Sequence, residues 1–566
     1  MRREKWIVYA KKAEFDRSGE RFGIDPVVAR IIRNRDIEGD EEIERYLHGT
    51  MSQLHDPRGL YGMDAAVEIL REKIAYNKKI RVIGDYDVDG IMSSYLLLKG
   101  LMLSGADADV VIPHRIQDGY GLNDHLIEKA FRDGVDTIVT CDNGIAAYGQ
   151  VELANRLGMT VVVTDHHEVP YEEGEGGRTY ILPPAAAVVD PKQPACSYPF
   201  KGICGAVVAF KLMQQLMGTV PEDFTEMAAF ATVCDVMDLT DENRILVRYG
   251  LKAMEHSHNI GLDALIEVSG LRDRPLSAYH VGFVLGPCMN ATGRLDTAKR
   301  ALQLLMSEDH AEAVSIATEL KNLNESRKEM TAQGVEQAVR LIEEKGLADR
   351  KVLILYLPDC HESLAGIIAG RIREMYGRPV FVLTDGEEGI KGSGRSIEAY
   401  SMYEELSKCK DLFTRYGGHR MAAGVSLPSG NLEEFVRRME TECRLTPEDY
   451  VEKVYIDVPM PFSYVNEELI RQLSLLEPFG NGNPRPLFAQ KGLRLDSVRV
   501  LGRNQNVGKY RVTDEYGGHC GLTFFGRQEE LQQAWKQKGT LSVTYYPQIN
   551  VYRGRSEIQF VIQNFQ

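Results

Sequence analysis

Apolar positions in this chain fall into short blocks whose period switches repeatedly. From about Asp64 a helical pattern leads into the run KKIRVIG. Strand-like and helix-like runs then alternate: IMSSYLLLKGLMLSG (helix), DADVVIP (strand), NDHLIEKAFRDG (helix), VDTIVTC (strand), AYGQVELANRLG (helix), MTVVVTD (strand) and AAAVVDP (strand). Strands alternating with helices of about 10–15 residues predict a parallel sheet with helices on both faces. Apolar helices over 203–218 and 222–237 complete this block. Residues 246–345 read as mostly helical. Within them, the charged, Pro-free segment from Ser307 to Gly346 carries Ala, Leu, Ile and Val at helical spacing and predicts a long, rigid connector helix. A second α/β block begins with KVLILYLP and continues through ESLAGIIAGRIREMYG, PVFVLTD, IKGSGRS and YSMYEELSKCKDLF. After about Tyr450, five strand-like runs separated by Gly-rich turns, with one helix QEELQQAWKQ, fit a small barrel of the OB type. The fold class expected is therefore α/β: two α/β domains joined by a long helix, plus a C-terminal OB-like β-barrel. The expected divisions are an N-terminal segment 1–60, a first α/β domain 61–245, a helical connector 246–345, a second α/β domain 346–448 and a barrel 449–566.

The ends of the apolar runs carry the chemistry. Gly84-Asp85-Tyr86-Asp87-Val88-Asp89-Gly90 follows IRVI, Thr140-Cys141-Asp142-Asn143-Gly144 follows DTIV, and Thr164-Asp165-His166-His167 follows TVVV. Val233-Cys234-Asp235 follows MAAFAT, counted as a fourth strand end although the same stretch fits the apolar helix over 222–237. Ligands of open parallel sheets bind beyond the carboxyl ends of the strands, so Asp85, Asp87, Asp142, His166 and Asp235 are expected in one pocket. That many acids repel one another unless a cation neutralises them. Oxygen ligands with one or two imidazoles suit Mn²⁺ or Mg²⁺, and a two-ion hydrolytic centre is expected. In TDHH one ring is free to ligate and the other to touch substrate, with Asp165 orienting a ring. Asp142 is the candidate bridging ligand. Asp89 faces a helix N-terminus, where capping competes with ligation. Read alone, GDYDVDG also fits an acidic turn, since Asp and Gly favour turns in any case.

Composition narrows the class. The chain has 566 residues, 43% of them apolar and 26% charged, which suits a multidomain globular protein. No run approaches the roughly 18 apolar residues of a spanning helix, and the N-terminus lacks the apolar core of a signal peptide, so no membrane is expected. Nine scattered cysteines without a CxxC read as reduced thiols of a cytoplasmic protein. The net charge is −15, yet residues 487–566 hold eleven Lys/Arg against six Asp/Glu, a local +5 that leaves −20 elsewhere. An acidic whole with a basic C-terminal module is compatible with a nuclease that grips nucleic acid outside its catalytic centre. In that module Tyr510, Phe524, Phe525, Tyr545, Tyr546 and Tyr552 interleave with Lys509, Arg511, Arg527, Arg553 and Arg555, an arrangement suited to single strands if the rings are not barrel core.

Two further motifs suit phosphate, and two loops accompany them. Lys391-Gly392-Ser393-Gly394-Arg395-Ser396 supplies hydroxyls and a guanidinium, and Tyr416-Gly417-Gly418-His419 a Gly-rich turn; a plain glycine-rich hairpin fits each as well. Asn290, Gly293 and Arg294 in GPCMNATGRL read as a loop before the long helix. His114, Arg115 and Tyr120 follow the strand DADVVIP near the same sheet edge.

In order, GDYDVDG, TCDNG, TDHH, CDVMDL, SGRS and GGHRMAAG resemble the motifs of the DHH phosphoesterases with their DHHA1 partner domain. GICGAVVAFKL, GPCMNATGRL, EPFGNGNPRPLF and the terminal YRGRSEIQF are similar specifically to the RecJ family of single-strand-specific DNA exonucleases. The resemblance implies 5′→3′ degradation of single-stranded DNA to mononucleotides with Mn²⁺ or Mg²⁺ in recombination and repair. It implies metal ligation by Asp85, Asp87, Asp142, His166 and Asp235, and a substrate-facing His167. It assigns the 5′ end and scissile phosphate to Arg115, Tyr120, Arg294, Ser393, Arg395 and His419, and Asn290 is a further substrate-binding candidate. A single-strand-binding protein and a helicase are the candidate protein partners. One departure stands out: the family's Trp-His-Pro-Gly reads Cys360-His361-Glu362-Ser363 here. Alternatives are a DHH phosphodiesterase of short oligonucleotides or cyclic dinucleotides, and a non-catalytic single-strand-binding relative.

Overall fold

The computed structural model describes residues 4–113, 121–174, 177–295, 298–386, 389–502, 505–552 and 554–566. The chain separates into two compact units: residues 39–326 with 476–485, and residues 1–38 with 327–475 and 486–566.

The first unit is built on five parallel strands. Their spatial order is Ala108–Val111, Ile80–Ile83, Thr137–Cys141, Thr160–Thr164 and Ala187–Val189. Numbered along the chain, this is the doubly wound order 2-1-3-4-5. Its switch point lies between Ile80–Ile83 and Thr137–Cys141, where the connections leave in opposite directions and open a crevice. The three central strands are buried nearly throughout, as runs of Ile and Val require when helices cover both faces. The helix Val88–Leu103 is apolar almost all round and correspondingly buried. Asp87 starts it, its carboxylate accepting from the Gly90 N–H at 3.1 Å. Helices Gly205–Met217 and Glu222–Cys234 pack in the same core. Two expectations change here. MAAFAT is helix, not strand, so Asp235 ends a helix. GPCMNATGRL is the helix Gly286–Leu295 rather than a loop. A small hairpin, Tyr171–Gly174 with Gly177–Tyr180, was not foreseen, since its exposed polar strands lack an apolar run.

In the second unit a five-stranded mixed sheet runs Arg415–Gly418, Ala422–Leu427, Gly389–Arg395, Val380–Gly386, Leu353–Tyr356. Only the last pair is parallel. The C-terminal strands Phe488–Leu501, Val507–Thr513, His519–Phe525, Arg555–Phe565 and Thr540–Tyr552 pair in that order. The last also pairs with the first, so the ladder returns on itself. Tyr510, Phe524, Tyr545 and Tyr546 are buried there, whereas Phe525 is exposed. Most of the rings expected to stack on nucleic acid are thus core; Tyr552, Arg553 and Arg555 lie outside the described side chains. The N-terminal strand Glu4–Val8 pairs in parallel with Glu452–Ile456, and Arg35 binds Asp457 at 3.2 Å. The long helix is His310–Glu344, which passes from one unit into the other at Arg327.

Helix Gly205–Met217 is anchored by a buried ion pair. Lys211 Nζ lies 2.9 Å from Glu242 and donates to the His55 carbonyl at 2.9 Å, while the Tyr198 hydroxyl donates to Glu242 at 2.6 Å. Burial holds the Lys211 amine below its usual range despite Glu242. Lys211→Met should therefore cost about 3–5 kcal/mol by stranding the Glu242 charge. Lys211→Met with Glu242→Gln should recover most of that loss, because no buried charge is then left unmatched. Denaturant unfolding checks both, and a single-variant cost under about 1 kcal/mol would show the pair to be dispensable.

Candidate metal centre

Strand register brings the site together. Ile83 pairs with Thr140, Cys141 with Thr164, and Thr164 with Val189, so the residues that follow emerge on one edge. Asp85 and Asp87 leave the strand on one side of the switch point, and Asp142 leaves the strand on the other. Asp142 sits at φ 59°, a left-handed turn that directs its side chain back over the sheet edge. The turn is fastened by Thr140, whose hydroxyl donates to the Asn143 carbonyl at 2.8 Å. Asn143 in turn donates to the Cys141 and Ile83 carbonyls at 2.9 and 3.2 Å, tying the two strands.

His166 is the meeting point. Its Nε2 lies 3.1 Å from Asp142, 3.5 Å from Asp89 and 3.7 Å from Asp235, three carboxylates from three separate elements. His167 stacks beside it with ring centroids 4.4 Å apart. Asp165 organises both. It accepts from the Ile145, His166 and His167 N–H groups at 2.9, 2.7 and 3.2 Å, and from His167 Nδ1 at 2.8 Å. Burial opposes a charged Asp165, but these bonds outweigh it and hold the carboxyl below its usual range. Burial likewise opposes a charged His167, yet the Asp165 partner pushes it up to about 9. Burial lowers His166 despite the acids that its Nε2 faces.

The acids themselves are crowded. Burial, with Asp87 beside it, pushes Asp85 up to about 8; burial with Asp89 and Asp87 does the same to Asp235. Asp142 is raised well above its ordinary value by burial and by Asp89 and Asp87. Among the described residues neither Asp85 oxygen completes a hydrogen bond, and the nearby Tyr86 and Gly121 N–H groups only soften its shift. Buried oxygens left in that state fit a divalent cation. Three overlapping triads have ligand atoms within 4.8 Å of one another: Asp85 with Asp87 and Asp142, Asp142 with His166 and His167, and Asp89 with His166 and Asp235. Asp142 belongs to two of them, as a bridging carboxylate would.

Two acids emerge that sequence reading did not nominate as ligands. Asp89 caps, but a different helix from its own: it accepts from the Gly205 and Ala206 N–H groups at 2.7 and 2.8 Å, so the N-terminus of Gly205–Met217 faces the cluster. That approach needs glycine, because a Cβ at Gly205 would fall 2.8 Å from the Asp142 Cβ. Asp190, after the fifth strand, is buried and also raised to about 8 by burial and Asp165. Its signal was present as the Asp closing AAAVVD. The turn after Asp235 is held from afar: Asn481 donates to the Val236 carbonyl at 3.1 Å and to Asp238 at 2.7 Å. This gives a role to the motif EPFGNGNP.

Models of three families match: the DHH family N-terminal domain over residues 79–233, the DHHA1 domain over 349–444 and the RecJ OB domain over 456–564. The single-stranded-DNA-specific exonuclease RecJ of Bacillus subtilis is 34% identical over 96% of this chain and 68% of its own length. That of Escherichia coli is 33% identical over 96% of both chains. The chain belongs to the RecJ family. A crystal structure of RecJ in complex with Mn²⁺ from Thermus thermophilus superposes with a TM-score of 0.83 at 29% identity, covering 100% of this chain and 80% of that one.

The remaining RecJ-type candidates divide. Asn290 lies half-buried on helix Gly286–Leu295, which also carries the backbone of Arg294. Arg115 and Tyr120, with His114, lie outside the described residues. Ser393, Arg395 and His419 belong to the other unit. The first two alternate along one strand, and the exposed His419 sits at the next hairpin turn, its N–H bonded to the Ala422 carbonyl opposite Arg395. Arg395 donates only to its neighbour's carbonyl, Gly394, and among the described residues forms no ion pair. In the altered motif, His361 bonds Ser363 at 2.7 Å and Glu362 pairs with Lys391 at 2.9 Å, two residues before Ser393.

A pH test follows. Folded Asp85 and Asp235 titrate near 8 against an ordinary 3.8. Their contribution to stability is therefore fully present below about pH 4 and is lost as pH rises through 8. A divalent cation competes with those protons, so Mn²⁺ should raise the thermal midpoint more at pH 8 than at pH 5.5. Equal shifts at the two pH values would show that these acids are not the ligands.

Proposed function

We propose that this chain is a metal-dependent exonuclease acting on single-stranded DNA. The observation that carries the reading is the convergence of three carboxylates on His166 Nε2 in a chain of the RecJ family. Asp85, Asp87, Asp142, His166 and Asp235 would hold two Mn²⁺ or Mg²⁺ ions, with Asp89 beside them. When bound, the ions supply charge neutralisation and a water of lowered pKa. The chain's own residues supply the rest. Asp165 keeps His167 protonated and fixed, ready to donate to a phosphate oxygen. Arg395, without a carboxylate of its own, would anchor a phosphate together with Ser393 and His419. Arg294, Arg115 and Tyr120 are assigned to substrate by family resemblance, and Asn290 is a further substrate-binding candidate.

Attack from the 5′ end, release of mononucleotides and service in recombination and repair are carried over from that resemblance. An enzyme of single strands needs duplexes opened and strands kept open, so a helicase and a single-strand-binding protein are the natural partners. All nine cysteines are free, and no helix of the described residues is long and apolar enough to cross a membrane; both suit work in the cytoplasm.

Digestion of 5′- and 3′-labelled single strands with Mn²⁺ should release labelled mononucleotide from the 5′ label first, and blunt duplex should resist. Asp142→Ala should abolish hydrolysis while the protein stays folded, because a bridging ligand serves both ions. Full Mn²⁺-dependent activity in that variant would sink the two-ion assignment. Arg395→Ala should raise KM strongly and also lower kcat, since positioning contributes to the transition state. Its Mn²⁺ affinity, read by calorimetry, should match the parent's; a loss would move Arg395 from substrate to metal support.

A further inference from the structure

The stretch just upstream of Asn290 carries an exposed aromatic pair with no structural task in view. Tyr279 and Phe283 are 61% and 68% exposed, yet their rings stack with centroids 5.1 Å apart at 24°. Two large apolar side chains held parallel in solvent are unusual on a globular surface. Their backbone is firmly placed. Ser277 and His280 form a capping box at 3.0–3.1 Å that starts the helical turn Ala278–His280. A π-helical turn, Val281–Leu285, follows, and then the helix Gly286–Leu295. Such single π turns recur at functional sites because they reset which residues share a helix face.

The underside of this turn rests on the residues that deliver Asp235. Cys234 Sγ contacts the Val281 carbonyl at 4.0 Å. A Cβ on Gly286 would fall 2.4 Å from that sulfur, and one on Gly282 would lie 3.5 Å from Val233. Gly286 thus lets the segment seat directly against the helix end. Val236, the residue after Asp235, is 66% exposed and held at φ 57°, a strained state for a β-branched residue. The turn that carries Phe283 is therefore packed against the helix end that bears Asp235. Asn290 follows further along the same helical segment, on the helix Gly286–Leu295.

We propose that Tyr279 and Phe283 are a base-stacking platform that receives nucleobases of the substrate strand beside Asp235. Every base has a π face, so a stacked aromatic shelf accepts any sequence, as an exonuclease without sequence preference requires. Paired bases present only their edges and cannot lie on it, so the shelf also selects for single strands. The platform rests on the exonuclease reading, and the test separates the two.

Binding of an oligothymidylate to the full-length protein without divalent metal avoids hydrolysis. Tyr279→Ala with Phe283→Ala should weaken that binding roughly ten-fold, with the thermal midpoint unmoved because both side chains are exposed. Tyr279→Phe should bind like the parent. Strands carrying one abasic residue at successive positions from the 5′ end should lose affinity for the parent at one or two positions. The double variant should show a flat profile. Unchanged affinity in the double variant, or an abasic profile that keeps its dips, would overturn the platform and mark the patch as a surface for another protein. Failure of the parent to degrade single strands with Mn²⁺ would overturn the exonuclease reading instead, and the binding data would still decide the platform.

Discussion

Negative charge packed where water is scarce governs this molecule. Asp85, Asp87, Asp89, Asp142 and Asp235 share one crevice with two imidazoles, and burial raises the pKa of four of those five acids. No arrangement of apolar side chains makes that favourable. The scaffold meets the demand only in part. The amide N–H groups that open helix Gly205–Met217 take one acid, Asp89, and the Gly90 N–H takes some of Asp87. What remains is a deficit of positive charge with a definite shape, and that shape is the specification of a cation site.

Much of the surrounding architecture reads as support for this deficit. The strand order opens a crevice between the strands that deliver Asp85 and Asp142. Asp165 is the exception among the acids, since four donors from three residues keep it ionised, and it spends that charge on fixing His167. Burial thereby favours the neutral form of His166 and Asp165 the cationic form of His167, though the two adjoin in sequence and stack in space. Ligation needs the first state and phosphate contact favours the second. The neighbours of each ring, not the rings themselves, divide the labour.

The sheet and its edge were legible because parallel strands leave unmistakable apolar runs, and acids directly after them have one place to go. Asp85, Asp142 and His166 follow from that rule alone. Asp235 did not follow from it: MAAFAT is equally apolar as a helix, and short apolar runs do not disclose their period. The acid still reached the site, because the helix ends where a strand would have. Asp89 reads as a residue that can cap a helix, and it does; which helix was not legible, since sequence spacing cannot show that a helix distant in the chain points its N-terminus at that carboxylate. For a related reason the sequence does not decide between stacking and barrel core for the rings of the C-terminal module. Alternation along a strand tells which residues share a face, not which face is inside, and Tyr510 and Tyr545 proved to be core. Tyr279 and Phe283 escaped notice because two aromatics four apart on a helix usually mean burial.

The pairing of Glu4–Val8 with Glu452–Ile456 bears on how this protein is born. The partners lie 448 positions apart, so the earlier strand must wait for its neighbour while everything between them is synthesised. At ~5–20 residues per second that wait lasts roughly 20–90 s. In that time the segment's apolar face has no sheet edge to join, and it is exposed to any other strand in the cell. Its charge answers the hazard: MRREK precedes the strand's apolar centre and KK follows closely, and charged flanks of this kind discourage chance pairing. The segment thus acts first as a guarded loose end, and only later as a seam.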